Sequence, residues 1–215
     1  MRSQVVGAML MIAMPVAARG DRGAFSVDGG AVLSAARVPP GVGNGDSVFG
    51  SVAGVTLGAR YAFRNDLEVS ANGVWFQEEP FYNDNTSVTT PDGVFVGQAQ
   101  NRVGRLGATI GAHYVTGLVW RLRVGAEVGW SRLVFRHLHL VDVSDPTSPR
   151  SFGLRLGDRT VDGIVVAPVA GVEWIATDHL SFAITPRIYF LLGEPTMTAF
   201  TVPITVSWSW YGWFR

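Results

Sequence analysis

The stretch WRLRVGAEVGW, residues 120–130, decides the fold. Trp120, Leu122, Val124, Ala126, Val128 and Trp130 take the even positions, while Arg121, Arg123, Gly125, Glu127 and Gly129 take the odd ones. A period of two marks a strand with two unlike faces. Here one face is continuously apolar and the other is charged or minute, and tryptophan closes both ends. At about 3.3 Å per residue and a tilt near 40°, the two tryptophans stand roughly 25 Å apart along the normal of a sheet wall, which matches the apolar layer of a membrane.

The same rhythm recurs outward from this run. It is present at residues 24–35, 51–63, 67–75 and 105–114 before the quoted stretch, and at 163–174, 180–190 and 200–210 after it. Tight turns are expected at 64–66, 115–117 and 176–179. Long polar connections are expected at 77–93 (QEEPFYNDNTSVTTPDG) and 142–158, both rich in Asp, Ser, Asn or Pro. Residues 94–100 and 132–141 continue strand-like beyond the apolar runs. The sum is an all-β chain of eight antiparallel strands with alternating short and long connections, an up-and-down barrel.

A soluble barrel and a membrane barrel wear this pattern with opposite faces inward. The polar face here mixes charged residues with glycines 54, 58, 107, 111, 125 and 129, which suits the narrow bore of eight strands rather than an apolar ligand cavity. Aromatic residues gather at strand ends: Tyr61, Phe63, Tyr114, Trp120, Trp174, Trp208 and Trp210 beside the short turns, and Trp75, Trp130, Phe190 and Phe200 beside the long ones. Two aromatic girdles, short turns on one side and long loops on the other describe a transmembrane β-barrel.

Composition agrees. Charged residues are 16% of the 215 and hydrophobic ones 47%, yet no apolar run after the N-terminus is long enough for a spanning helix. The 17 basic residues are all arginine and balance 17 acids, which gives no general attraction to nucleic acid. Cysteine is absent, excluding disulfides and thiolate metal sites. The leader MRSQVVGAMLMIAMPVAARG has a basic start, a short apolar segment and small residues after Pro15; residues 1–18 read as an export signal peptide and 19–215 as the barrel domain.

The chain resembles the small eight-stranded outer-membrane barrels of the OmpA, OmpX and OmpW kind over roughly residues 24–214. The resemblance rests on the strand rhythm and on the ending TVPITVSWSWYGWFR, where Phe214 takes the place of the terminal aromatic that barrel-assembly machinery reads and Arg215 follows it. It implies a cell outer-membrane location, contact with outer-membrane lipids and lipopolysaccharide, and no cofactor. The chain reads as a monomer.

Candidate sites are few. Asp28, Glu68, Glu127 and Glu173 share the inward face with Arg60, Arg105, Arg121, Arg123 and Arg187, and a charge inside a barrel must be paired, hydrogen-bonded or wet. These nine are expected to form a charge network filling the lumen. His137, His139 and Asp142 form the one candidate metal cluster, but they lack a full set of ligands. Ser131 and His137 lie about 20 Å apart on an extended strand, too far for a nucleophile and its base. The loop acids Glu78, Glu79, Asp84, Asp92, Asp142 and Asp145 show no ordered ligand spacing and read as solvated. The leading functional expectation is non-enzymatic: a structural or surface-interaction role through the long loops. A narrow channel or transporter of small or apolar solutes comes second, and a lipid A-modifying enzyme third.

Overall fold

A computed structural model describes residues 22–39, 41, 45, 48–142, 144, 150–192 and 196–211. The export leader, Phe214 and Arg215 lie outside these residues. Strands are β1 (Phe25–Val38), β2 (Val48–Arg64), β3 (Leu67–Thr90), β4 (Gly93–Gly117), β5 (Trp120–Asp142), β6 (Arg150–Arg155), β7 (Arg159–Ile175), β8 (Leu180–Ile184), β9 (Arg187–Leu192) and β10 (Met197–Trp210).

These ten strands build eight walls. β8 and β9 are one wall interrupted at Thr185 and Pro186; Pro186 has no amide hydrogen to give to the ladder. β6 is a short addition paired to the far end of β5. All pairings are antiparallel, and β1 pairing with β10 closes the ring, so no sheet edge faces lipid. Within the membrane layer the large apolar side chains point outward: Leu57 is 67% exposed, Ile110 64% and Ile164 59%, values that only a lipid solvent makes economical.

Aromatic rings cluster at the ends of the spanning strands. At the short-turn end, Trp120 and Trp174 stack at 6.2 Å, Trp174 and Phe182 at 5.7 Å, and Phe25 lies 6.0 Å from Trp210. Tyr61, Tyr114 and Trp208 stand at the same end of their strands; Trp75 and Trp130 face outward at the other. The turn between β4 and β5 falls at Leu118 and Val119, one step later than the expected 115–117. Gly117 takes a φ of +111° there, and a Cβ at that position would meet the Trp120 carbonyl oxygen at 2.0 Å.

The expected loop at 77–93 is strand instead. β3 runs 24 residues and β4 25, turning only at Pro91 and Asp92. Part of the expected loop at 142–158 is likewise β6. About ten residues cross a membrane, so β3, β4 and β5 rise roughly 30 Å above it. Three bulges hid this continuation. Register shifts at Phe76/Glu79 and Asn83/Thr86 in β3, and the left-handed φ of 54° at Asn85 and at His137, each reset which face the next residue takes. Alternation therefore looks broken in a strand that is not.

Candidate functional site

The lumen holds the charged residues, each placed by the odd or even position of its strand. Arg60 on β2 is the hub. Its Nε donates to both Asp28 carboxylate oxygens, at 2.9 and 3.0 Å, and its Nη2 reaches Asp28 Oδ1 at 2.8 Å, Glu173 Oε1 at 3.0 Å and Ser207 Oγ at 2.8 Å. Arg123 pairs with Glu68 and, through Nη2 at 3.1 Å, with Glu173. Ser181 donates to Glu173 at 2.6 Å. Arg121, the ladder partner of Glu173, is half-buried at the short-turn rim.

A second group lies deeper. Glu127 accepts from Thr109 at 2.7 Å and Asn72 at 3.1 Å, and pairs with Arg187 at 3.3 Å. His113 stands between the two groups, with Nδ1 3.7 Å from Glu68 and Nε2 3.5 Å from Glu127. A cavity of about 20 Å³ lies among Asp28, Arg60, His113, Arg123 and Arg187, room for a single water. In a low-dielectric interior such charges are tolerable because each carboxylate of the network lies beside an arginine.

Arg105 stands apart from this network. It is buried, but its guanidinium lies 4.1 Å over the Phe76 ring and 5.2 Å from that of Tyr189, and among the described residues no carboxylate lies within ion-pair range. The expected network of nine therefore divides: eight residues belong to the charged lower lumen, and Arg105 to the layer above.

That upper layer is the region the sequence reading missed. Above the polar lumen, Ala36, Val38, Phe81, Val103, Leu133, Phe135, Leu138, Val161, Val165, Tyr189, Leu191, Met197 and Ala199 point inward and form one buried apolar cluster. The connection between β1 and β2 reaches into it. Gly41 is buried, a Cβ on it would come within 3.0 Å of Leu138 and Phe135, and its carbonyl accepts from Arg159 at 3.1 Å. The wall is inside-out on one side of Trp130 and right-side-out on the other.

Three solved structures share this architecture. The attachment invasion locus protein Ail of Yersinia pestis superposes with a TM-score of 0.55 at 15% identity, covering 88% of this chain and 99% of its own. Neisserial surface protein A gives 0.55 at 13% identity, covering 87% and 99%. The outer membrane protein OprG of Pseudomonas aeruginosa gives 0.56 at 12% identity, covering 89% and 98%. The fold is that of the small eight-stranded outer-membrane barrels. No protein-family model and no curated relative matches the chain in sequence. Ail has also been solved in complex with the heparin analogue sucrose octasulfate.

The apolar belt and the aromatic rings at its two ends suit a membrane-spanning barrel, with the raised hairpins standing clear of the belt. On those hairpins His137 and His139 both face outward. The bulge at His137 turns Leu138 and Leu140 inward, and both His139 ring nitrogens are engaged, with the His137 carbonyl at 2.9 Å and Gln100 Oε1 at 3.0 Å. Asp142 accepts the Ser144 amide at 2.9 Å, which holds its carboxyl below the usual aspartate value. Ser131 is buried and donates to the Leu106 carbonyl, while His137 is exposed on the other face. Of the other loop acids, Glu78 pairs with Arg136 at 3.0 Å and Asp84 accepts from Gln98 at 2.7 Å; Asp145 lies outside the described residues.

Proposed function

We propose that this protein is a closed outer-membrane barrel that acts at the cell surface, its raised β3–β4–β5 wall serving as an interaction platform. One observation carries the reading: the same strands that cross the membrane continue far beyond it around a packed apolar core of their own, instead of ending in solvated loops. A structure that ordered above the membrane presents a fixed surface to a partner. At its tip, Val94 and Val96 are 65% and 58% exposed on the outer face of β4, apolar contacts for something outside the cell. Ail, a barrel of the same architecture, carries attachment in its name and binds a heparin analogue, which supports surface recognition as the reading.

The channel reading has less support, since both the ion-pair lattice and the apolar cluster occupy the bore. The test is to remove residues 86–97, rejoin the hairpin with a short Gly-Ser turn, and compare adhesion of expressing bacteria to epithelial cells and matrix-coated surfaces. Shortened barrels should keep their heat-modifiable gel migration and lose adhesion. Equal adhesion by both, or stepwise conductance by the purified wild type in planar bilayers, would overturn the proposal.

A further inference from the structure

Where the charged lumen meets the apolar cluster, one layer is rich in donors. Ser34 on β1 is the ladder partner of Thr201 on β10, and Thr201 is the ladder partner of Arg187 on β9. All three are buried and face inward. Tyr189 ties Arg105 into this layer from β4, across the ring: the Arg105 guanidinium is 5.2 Å from its aromatic face, and Arg187 Nη1 donates to its hydroxyl at 3.3 Å. Arg105 Nη2, Arg187 Nε and the hydroxyl oxygens of Ser34 and Thr201 have no hydrogen-bond partner among the described residues.

A guanidinium N–H can only donate, and the two hydroxyls can donate as well. Charge points the same way. Five inward arginines face four inward carboxylates, and Arg105 is the arginine that sits over aromatic rings rather than beside an acid. A cation desolvated to this degree without a counter-charge is expensive.

We propose that this layer binds one monovalent anion of chloride size, held between the Arg105 and Arg187 guanidiniums with the Ser34 and Thr201 hydroxyls completing its shell. An anion accepts from all four donors and cancels the unmatched charge. A water accepts from two at most and leaves the charge in place. The close approach of Phe76 and Tyr189 to Arg105 favours a single halide over a larger oxyanion. Such an ion joins the two interiors: it is bonded to Arg187 of the charged side and to Arg105 of the layer above.

The test uses the full barrel in detergent micelles, melted at constant ionic strength in sodium chloride, sodium bromide or sodium gluconate. Chloride and bromide should raise the unfolding temperature saturably, by about 4 °C at ten times the dissociation constant, relative to gluconate. Arg105→Met should abolish that difference, and the exposed control Arg102→Met should keep it. Crystals soaked in bromide should show an anomalous peak beside the Arg105 guanidinium. Identical melting in all three salts, a halide shift that persists in Arg105→Met, or bromide confined to the outer surface overturns the proposal. If Arg105→Met fails to fold, the wild-type titration and the bromide map decide alone.

Discussion

Two interiors share this barrel, and they are filled by opposite chemistry. Between the girdles the inward residues are Asp28, Arg60, Glu68, His113, Arg123, Glu127, Glu173 and Arg187, held to one another by ion pairs such as Arg60–Asp28 at 2.8 Å and Arg123–Glu173 at 3.1 Å. Beyond Trp130 they are Leu133, Phe135, Leu138, Val161 and Leu191, packed against one another. The difference is set from outside. Lipid demands an apolar exterior, and a strand apolar on both faces would be one long hydrophobic run, so the inner face carries the polar residues. Water demands a polar exterior, and the apolar residues then go inside. The same backbone thus holds itself together with ion pairs in oil and with oil in water.

Removing Arg60 should break the lower interior most severely. Arg60→Ala strands Asp28 in a buried site, leaves Glu173 only Arg123 and Ser181, and should cost about 5 kcal/mol, read as a lower urea midpoint in micelles. Phe135→Ala attacks the upper interior and should cost about 4 kcal/mol through the cavity it opens, while bilayer insertion and heat-modifiable migration persist. If the two interiors are separate, the double variant should show the sum of both losses within about 0.5 kcal/mol; a larger coupling would mean that they form one cooperative unit.

The smallest effect belongs to the boundary outside the membrane. Hydrogen bonds from Arg132, at 2.8 and 3.2 Å, hold the Asp162 carboxyl below the ordinary aspartate value. A carboxyl depressed on folding stabilises fully above its unfolded value and loses that contribution as pH falls through its folded one. Asp162→Asn should therefore melt slightly below wild type at neutral pH and converge with it below about pH 4, where the wild type has lost the same contribution. Because both groups are exposed, the difference should shrink further in high salt. A gap between variant and wild type that widened as pH fell through about 4 would contradict this account.

Much of the barrel is legible in its residues. The period of two, the ring of tryptophans and the inward parity of the arginines and glutamates all correspond to what the strands do. The raised wall is not legible in the same way, since polar residues such as Asn83, Asn85 and Thr86 read as turn formers when tertiary packing is unknown. Asn83 and Thr86 are fully buried in the hairpin, a context that overrides their local preference. One signal was available. Up to Trp130 the apolar residues of β5 fall on even positions, and beyond it Leu133 and Phe135 fall on odd ones, flanked by Arg132 and Arg136. That inversion of parity marks the membrane surface. His113 could have been grouped with the network by the same rule, as it shares parity with Arg105 and Thr109. Arg105 could not have been set apart from it, because nothing local shows that a ring rather than a carboxylate lies opposite.

The two bulges of β3 act like a frameshift and its suppressor. The first moves the inward set from even to odd numbers, from Phe76 to Phe81 and Asn83; the second, at Asn85, restores it, so that Thr86 and Val88 face in. Straightening the chain at Asn85 into regular strand, with no residue lost, would leave the first shift uncorrected. Every side chain from there to the hairpin tip would exchange inside for outside, turning Val88 to the water and Ser87 to the core. The reading frame of the surface platform thus hangs on one asparagine in a left-handed turn, a site where evolution can turn the hairpin tip inside out without touching the membrane-spanning wall beneath it.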